Sequence, residues 1–158
     1  PNQLGNIPHE RVLQDSAKRQ GDATRGEQLF KRQSCAACHT VVKGQSPIGP
    51  HLGDVGKRYK RIQLAESLLK PSAVLAQGFE TNLFVMQNGK SHTGFVIREA
   101  AEEVEIRTAR GRSFVLLKTE IEQRAKGKQS VMPDGLINNL TLEEFASLLD
   151  YLESLRTK

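Results

Sequence analysis

The sequence predicts a mainly α domain of four to five helices, interrupted by a small antiparallel β segment of about four strands. Three observations carry this. Apolar residues recur at helical spacing in the first half of the chain and again at its C-terminal end. The spacing changes to alternation across residues 79–128, where two turn signals punctuate it. With 158 residues, 37% of them hydrophobic, the chain is long enough for one domain with a real core, which argues against both a multidomain enzyme and disorder. The predicted organisation is a single domain over 1–158, with 1–20 as an N-terminal extension or linker holding one helix and 79–128 as a β insertion.

Taken in order, the first stretch is weak, and His9 on its helix reads as exposed. Asp22 is placed to cap a helix from Ala23 to Gln33, with Leu29, Phe30 and Gln33 on one face and Arg25, Lys31 and Arg32 outward. Gly26 lies one turn before Phe30 and lets a second helix approach, with Leu148, Tyr151 or Leu152 as its counterpart. Pro50 sets a rigid turn in Gly49-Pro50-His51-Leu52, close after His39 and placed to orient it. A helix from Arg61 to Lys70 carries Ile62, Leu64, Ala65, Leu68 and Leu69, and Pro71 stops it. Asn88-Gly89 signals a two-residue hairpin between Thr81–Gln87 and Lys90–Arg98, which sets His92 across from Val85; Arg110-Gly111 joins Val104–Ala109 to Arg112–Leu117. Val104 and Ile106 alternate with Glu103, Glu105 and Arg107, giving one dry face and one wet face. At the end, Thr141-Leu142-Glu143-Glu144 is a capping box opening an amphipathic helix to Arg156, with Phe145, Leu148, Leu149 and Leu152 on its apolar face.

The net charge of +5 is uneven: residues 1–78 hold 12 Lys/Arg against 6 Asp/Glu, residues 129–158 only 2 against 5. Such a basic N-terminal part suits an acidic protein partner or an anionic surface, and its dispersed cations with few aromatics make nucleic acid the weakest partner class. No run approaches the roughly 20 apolar residues of a membrane span, and the start PNQLGNIPHE lacks the basic-then-apolar pattern of a signal peptide. No nucleophile and base can be paired by spacing, and there is no phosphate-cradling Gly-rich loop, so no catalytic residues are expected.

The chemistry concentrates in Cys35-Ala36-Ala37-Cys38-His39, which holds both cysteines of the chain. C-x-x-C-H is the attachment signature of c-type haem: two thiols add across two vinyl groups of one porphyrin, and the neighbouring imidazole is held beneath the iron. Aromatics make up only 5% of the chain and Trp is absent, so a buried planar cofactor would also fill a core short of bulky side chains. Three alternatives compete. A structural zinc needs four ligands and finds no second Cys pair. A thioredoxin-like dithiol needs a preceding strand, where a helix stands here. A structural disulfide would close a very short loop and leave His39 without a role.

Helix with Gly26 and Phe30, then CAACH, GPHL, a helix ending in LLKPS, Ser130-Val131-Met132-Pro133 and a final amphipathic helix: in this order the chain resembles class I cytochrome c. More narrowly it resembles planctomycete-type haem-binding domains, in which LAESLLKPSAVLAQGF leads into an inserted β segment ahead of an S-x-M-P loop. The resemblance implies a class I fold of four to five helices around one haem c bound through Cys35 and Cys38. It implies a single-electron carrier, redox protein partners presenting an acidic surface on a dehydrogenase or terminal acceptor, and a periplasmic or exported location with the targeting segment outside this chain. Arg58 and Tyr59 are similar to propionate-contacting positions. His51 falls on the proximal side in this frame.

Two iron ligands are expected, His39 and Met132. Met132 precedes Pro133 in a loop, which keeps its backbone extended and can present its sulfur, and a thioether as sixth ligand favours reduced iron. A core-filling Met is the plain alternative, and Met86 on a strand is expected to pack. Phe30, Leu52 and the last helix are expected to make the pocket dry, and Lys31, Arg32, Lys43, Lys57, Lys60 and Arg61 to steer a partner. An open or exchangeable distal site would instead make a haem sensor or a peroxidase-like protein. The β segment has three candidate roles: covering the haem crevice, docking a partner or mediating self-association.

Overall fold

The computed structural model describes residues 2–44, 48–73, 80–127 and 130–157, and the 74–79 stretch leading into the expected insertion lies outside them. These residues hold five helices and a five-stranded antiparallel sheet, distributed over two units. One unit comprises Pro1–Ala73 with Pro133–Lys158, the other Val74–Met132.

In the helical unit, α1 (His9–Ser16), α2 (Ala23–Arg32), the single-turn α3 (Val55–Arg58), α4 (Arg61–Leu69) and α5 (Leu142–Ser154) share one apolar core. Asp22 caps α2 by accepting from Thr24 N–H at 2.8 Å. The capping box of α5 closes in both directions, Glu144 N–H to Thr141 Oγ1 at 3.2 Å and Thr141 N–H to Glu144 Oε2 at 3.1 Å. Phe145, Leu148 and Leu149 of α5 are fully buried, each contributing about 1.5–3 kcal/mol by burial. Stretch 1–20, expected as a linker with one helix, also supplies Leu4, Val12 and Ser16 to the interior, and Gln3 bridges to Thr141.

Gly26 permits close contact of α2 with α5, as the sequence suggests, but its nearest neighbour is the Ser147 carbonyl, with Tyr151 beside it. A Cβ on Gly26 would stand 2.0 Å from that oxygen. The rings of Phe30 and Tyr151 pack at 5.5 Å, tilted by 58°. Arg61 ties three helices together. Its guanidinium donates to Ser16 O at 2.6 Å, Arg19 O at 2.7 Å and Asp150 Oδ1 at 2.6 Å, and also to Glu153. It is therefore a structural clamp rather than a member of a steering surface.

The β unit orders its strands β4-β3-β2-β1-β5, where β1 is Asn82–Met86, β2 Ser91–Glu99, β3 Glu103–Arg107, β4 Ser113–Leu117 and β5 Ile121–Lys126. Phe84, Met86, Val104, Ile106 and Leu116 form its own apolar cluster, and the expected alternation on β3 holds. Three expectations need correction, one of them the β3–β4 connection, where Thr108 N–H donates to Arg112 O and Gly111 N–H to Thr108 O, each at 2.9 Å, so the loop is Ala109-Arg110-Gly111 rather than Arg110-Gly111 alone. A fifth strand, β5, pairs with β1 where four strands were expected. It is a charged edge strand with only Ile121 partly buried, so it carries no alternation to detect. The β1–β2 loop has three residues rather than two: Met86 N–H donates to Lys90 O at 2.8 Å and Gly89 N–H to Met86 O at 2.9 Å. Gly89, with φ +82°, takes the left-handed position that follows a type I turn in such loops. His92 therefore pairs with Phe84, and Val85 with Ser91.

Candidate haem-attachment site

The site grows from the end of α2. Gln33 closes the helix, and Ser34, at φ 64°, turns the chain in the left-handed conformation so that Cys35 enters the core. Residues Cys35–Ala37 form a short 3-10 turn, and the Cys35 carbonyl accepts from His39 N–H at 2.9 Å. This packs the two cysteines and the histidine of the motif into one and a half turns of backbone. Both thiols are free. Burial pushes the Cys35 thiol up to about 11.

The loop after the motif holds the imidazole. Cys38 O accepts from Ile48 N–H at 3.0 Å and Gly49 N–H at 2.8 Å, which brings Gly49-Pro50 against the ring. His39 Nδ1 lies 2.7 Å from the Pro50 carbonyl oxygen. A carbonyl only accepts, so Nδ1 carries the hydrogen and Nε2 keeps its lone pair for a metal. Burial lowers the His39 pKa below the ordinary histidine value and the Pro50 bond partly restores it, so the neutral, ligating form is favoured. A Cβ on Gly49 would stand 2.7 Å from His39 Cε1, so the glycine leaves the slot the ring occupies.

Thr40 Oγ1 and His51 Nδ1 are 2.8 Å apart, and Leu52 N–H donates to Thr40 O at 2.7 Å. The half-buried Leu52 packs on the core that contains Phe30 and Cys35. Arg58 donates to Asp54 and to His51 O, each at 3.0 Å, and lies 5.3 Å from the Tyr59 ring centroid. Arg58 is thus engaged with its own loop, and Tyr59 is exposed.

Cys35, Cys38, His39, Pro50, Leu52, Phe30, Arg58 and Tyr59 all belong to the helical unit. Met132 is the last residue of the β unit, half-buried, with its N–H donating to Ser130 Oγ at 3.1 Å. Met86 is buried in the β unit's apolar cluster, where the sequence places it. The rigid Gly49-Pro50 turn, which the sequence reading sets close after His39 as a means of orienting it, lies against the ring, though the slot that Gly49 leaves has no sequence signal. One positioning residue escapes sequence reading. Gln33, buried, donates to Leu136 O at 2.6 Å and to Asn139 Oδ1 at 2.7 Å, fixing the exit of α2. A polar residue on the apolar face of α2 was its only signal.

The donor set fits a c-type haem. Two free thiols stand beside an imidazole whose Nε2 is unclaimed and whose ring rests in a glycine slot. Among the described residues no group of three or more His, Cys, Asp or Glu side chains gathers around the pair, so the ligand set of a structural zinc is not assembled. A redox dithiol needs a depressed thiol pKa, and that of Cys35 is raised.

The site thus has the make-up of a covalent haem centre. The Cytochrome c family model matches residues 23–105, more than half of the chain. The chain belongs to the cytochrome c family, as a haem-binding protein of electron transfer with redox protein partners. No curated protein matches it. Among the described residues no helix is long and apolar enough to cross a membrane.

Proposed function

We propose that this chain is a monohaem electron carrier of class I type, with haem c held through Cys35 and Cys38, His39 as proximal ligand through Nε2 and Met132 as distal ligand. One observation carries the reading: the hydrogen bond from His39 Nδ1 to Pro50 O, directly after the two free cysteines, leaves Nε2 as the coordinating atom. When bound, a haem supplies a one-electron redox centre.

The chain's own residues do the rest. Pro50 and Gly49 hold the imidazole in one tautomer and one orientation, which lowers the reorganisation that accompanies a change of charge beside it. Phe30, Leu52 and Cys35 belong to a core that keeps water out, and exclusion of water disfavours the more highly charged oxidised form. Of the two methionines, Met86 is buried in the apolar core of the β unit, whereas Met132 lies in a loop ahead of Pro133, so Met132 is the better sixth ligand. The β unit is an insertion of the planctomycete type, the protein serves or is fused to a periplasmic dehydrogenase, and it works outside the cytoplasm, where haem c is attached.

Absorption spectra of the purified protein test this. Sharp ferrous bands of haem c with a weak far-red band in the ferric form are expected. Met132→Ala should remove the far-red band and leave the attached haem. A high-spin ferric spectrum in the unaltered protein would overturn the His/Met assignment and favour a sensor or peroxidase-like protein with an open site.

A further inference from the structure

The two edges of the sheet differ. β5 is edged by Glu122, Arg124 and Lys126, the charged pattern that discourages further pairing. β4, Ser113-Phe114-Val115-Leu116-Leu117, carries no charge, and among the described residues no strand lies beyond it. Its ladder with β3 fixes which groups face outward. Thr108 N–H donates to Arg112 O at 2.9 Å at one end, and Lys118 N–H donates to Glu102 O at 2.8 Å at the other. Antiparallel bonding alternates, so Phe114 and Leu116 bond to Ile106 and Val104. The N–H and C=O groups of Ser113, Val115 and Leu117 therefore point away from the sheet. The same residues are exposed, Val115 to 52% and Leu117 to 46%.

The charge around this edge is basic. Arg110 and Arg112 precede the strand and Lys118 follows it. Of the neighbouring carboxylates, Glu103 and Glu105 on β3 pair with Arg98 at 2.5 and 3.2 Å and Glu99 pairs with Lys118 at 3.3 Å, so the positive charge at this edge comes chiefly from Arg110 and Arg112. At the hairpin end Arg110, Arg112, Thr108, Thr93 and Phe114 line a cavity of about 350 Å³. A second copy is a poor occupant: antiparallel pairing centred on Val115 would set Arg112 of one copy against Lys118 of the other.

We propose that the β4 edge docks an extended acidic segment of a partner protein. The segment adds to the sheet as a sixth strand, its backbone bonds to Ser113, Val115 and Leu117, its apolar residues cover Val115 and Leu117, and its carboxylates meet Arg110 and Arg112. This site goes beyond the electron-carrier reading and does not depend on it.

The test uses the full chain and two synthetic peptides of alternating valine and threonine, one flanked at both ends by pairs of acidic residues and the other by lysines. Binding is followed by amide NMR shifts and exchange protection at Ser113 and Leu117. The acidic peptide should protect these amides and the lysine peptide should bind at least ~10-fold more weakly. Val115→Pro removes an outward N–H and leaves the β3 ladder intact, so the protein should fold and bind the acidic peptide at least ~10-fold more weakly. Arg110→Gln with Arg112→Gln should weaken it by roughly 5–10-fold without touching the strand. Equal binding of both peptides, no binding of the acidic one, or indifference to these substitutions would overturn the proposal. So would a concentration-dependent dimer that Val115→Pro dissolves, since the occupant would then be a second copy.

Discussion

Gly26→Ala is the substitution for which two opposite effects can be weighed directly. Alanine in a helix interior is favoured over glycine by about 1 kcal/mol, so in an unpacked helix the change would stabilise. Here the added Cβ would lie 2.0 Å from the Ser147 carbonyl oxygen and 2.7 Å from Tyr151 Cβ, where an ordinary contact begins at 3.4 Å. The oxygen belongs to the backbone of α5 and cannot rotate away, so α2 and α5 must part by more than an ångström. Gly56 faces the same helix, where a Cβ would stand 2.1 Å from Glu153 O, which restricts the directions in which α5 can retreat. Overpacking of this severity costs about 3 kcal/mol or more, leaving a net loss of about 2–3 kcal/mol after the helix gain. For a chain of this size that lowers Tm by about 5–10 °C. Far-UV circular dichroism on heating, with urea titration alongside, measures it. An unchanged or raised Tm would show that the two helices do not meet at Gly26 and would undo the account of how Cys35 is delivered.

Arg61→Ala should destabilise the protein by about 3 kcal/mol, because it removes the donor to Asp150 Oδ1, Glu153 and the carbonyls of Ser16, Arg19 and Ala146; Arg61→Lys should cost roughly half of that, since the charge stays and the fork is lost. Urea midpoints check both, and a change below about 0.5 kcal/mol for the alanine variant would refute the clamp. Gly49→Ala should lower the haem-loaded fraction several-fold at constant expression, read as the ratio of Soret to protein absorbance, because the new methyl enters the space of His39; full loading would show that the slot is not needed. Arg19 beside Asp15 holds that carboxyl below its usual range. For Glu144 burial acts in the opposite sense, but the Thr141 N–H, Arg32 and Arg25 outweigh it and the carboxyl again titrates low. Depressed carboxyl pKa values add stability that is present above the unfolded values of 3.8 and 4.5 and disappears as pH falls through the folded ones. His39, whose pKa burial lowers, adds a decline of the same sign that begins as pH falls through its ordinary value of 6.5. Urea stability should therefore fall below about pH 6.5 and again below about pH 4.5, and only the second fall should be shallower in Asp15→Asn combined with Glu144→Gln; an unchanged fall below about pH 4.5 in that variant would contradict the assignment.

What was legible in the sequence was local. Asp22 and the Thr141/Glu144 box lie within three residues of the groups they satisfy, so helix starts could be placed before any packing was known. The alternation of Val104 and Ile106 with charged neighbours marks a strand because one face of it is dry. The C-x-x-C-H motif is legible for the same reason, as the porphyrin imposes its spacing on adjacent residues. What failed depends on distant partners. β5 is exposed on both faces and has no period. Leu4 and Val12 are buried by other segments, and their spacing alone does not announce a core. The loop ending in Gly89 was assigned one residue too short because the same Asn-Gly pair serves two- and three-residue turns. The slot at Gly49 and the side chain of Gln33 matter only through His39 and through Leu136 and Asn139.

The distribution of charge follows the same division. Six basic residues near the motif suggest a surface that steers an acidic partner, yet folding commits half of them. Arg61 is drawn inward by Asp150 and Glu153, Arg32 pairs with Glu144 at 3.2 Å, and Lys31 with Glu27 at 3.7 Å. The acidic residues of α5 account for Arg61 and Arg32, because the C-terminal region, with its excess of Asp and Glu, folds back on the basic N-terminal part, while Lys31 is paired within α2 itself. Lys43, Lys57 on α3 and Lys60 at the start of α4 remain exposed. An exposed cation that is already paired adds little to the field a partner feels, so net charge overstates the reach of this surface. A redox partner drawn to this surface would meet Lys43, Lys57 and Lys60, a smaller set of unpaired cations than composition implies.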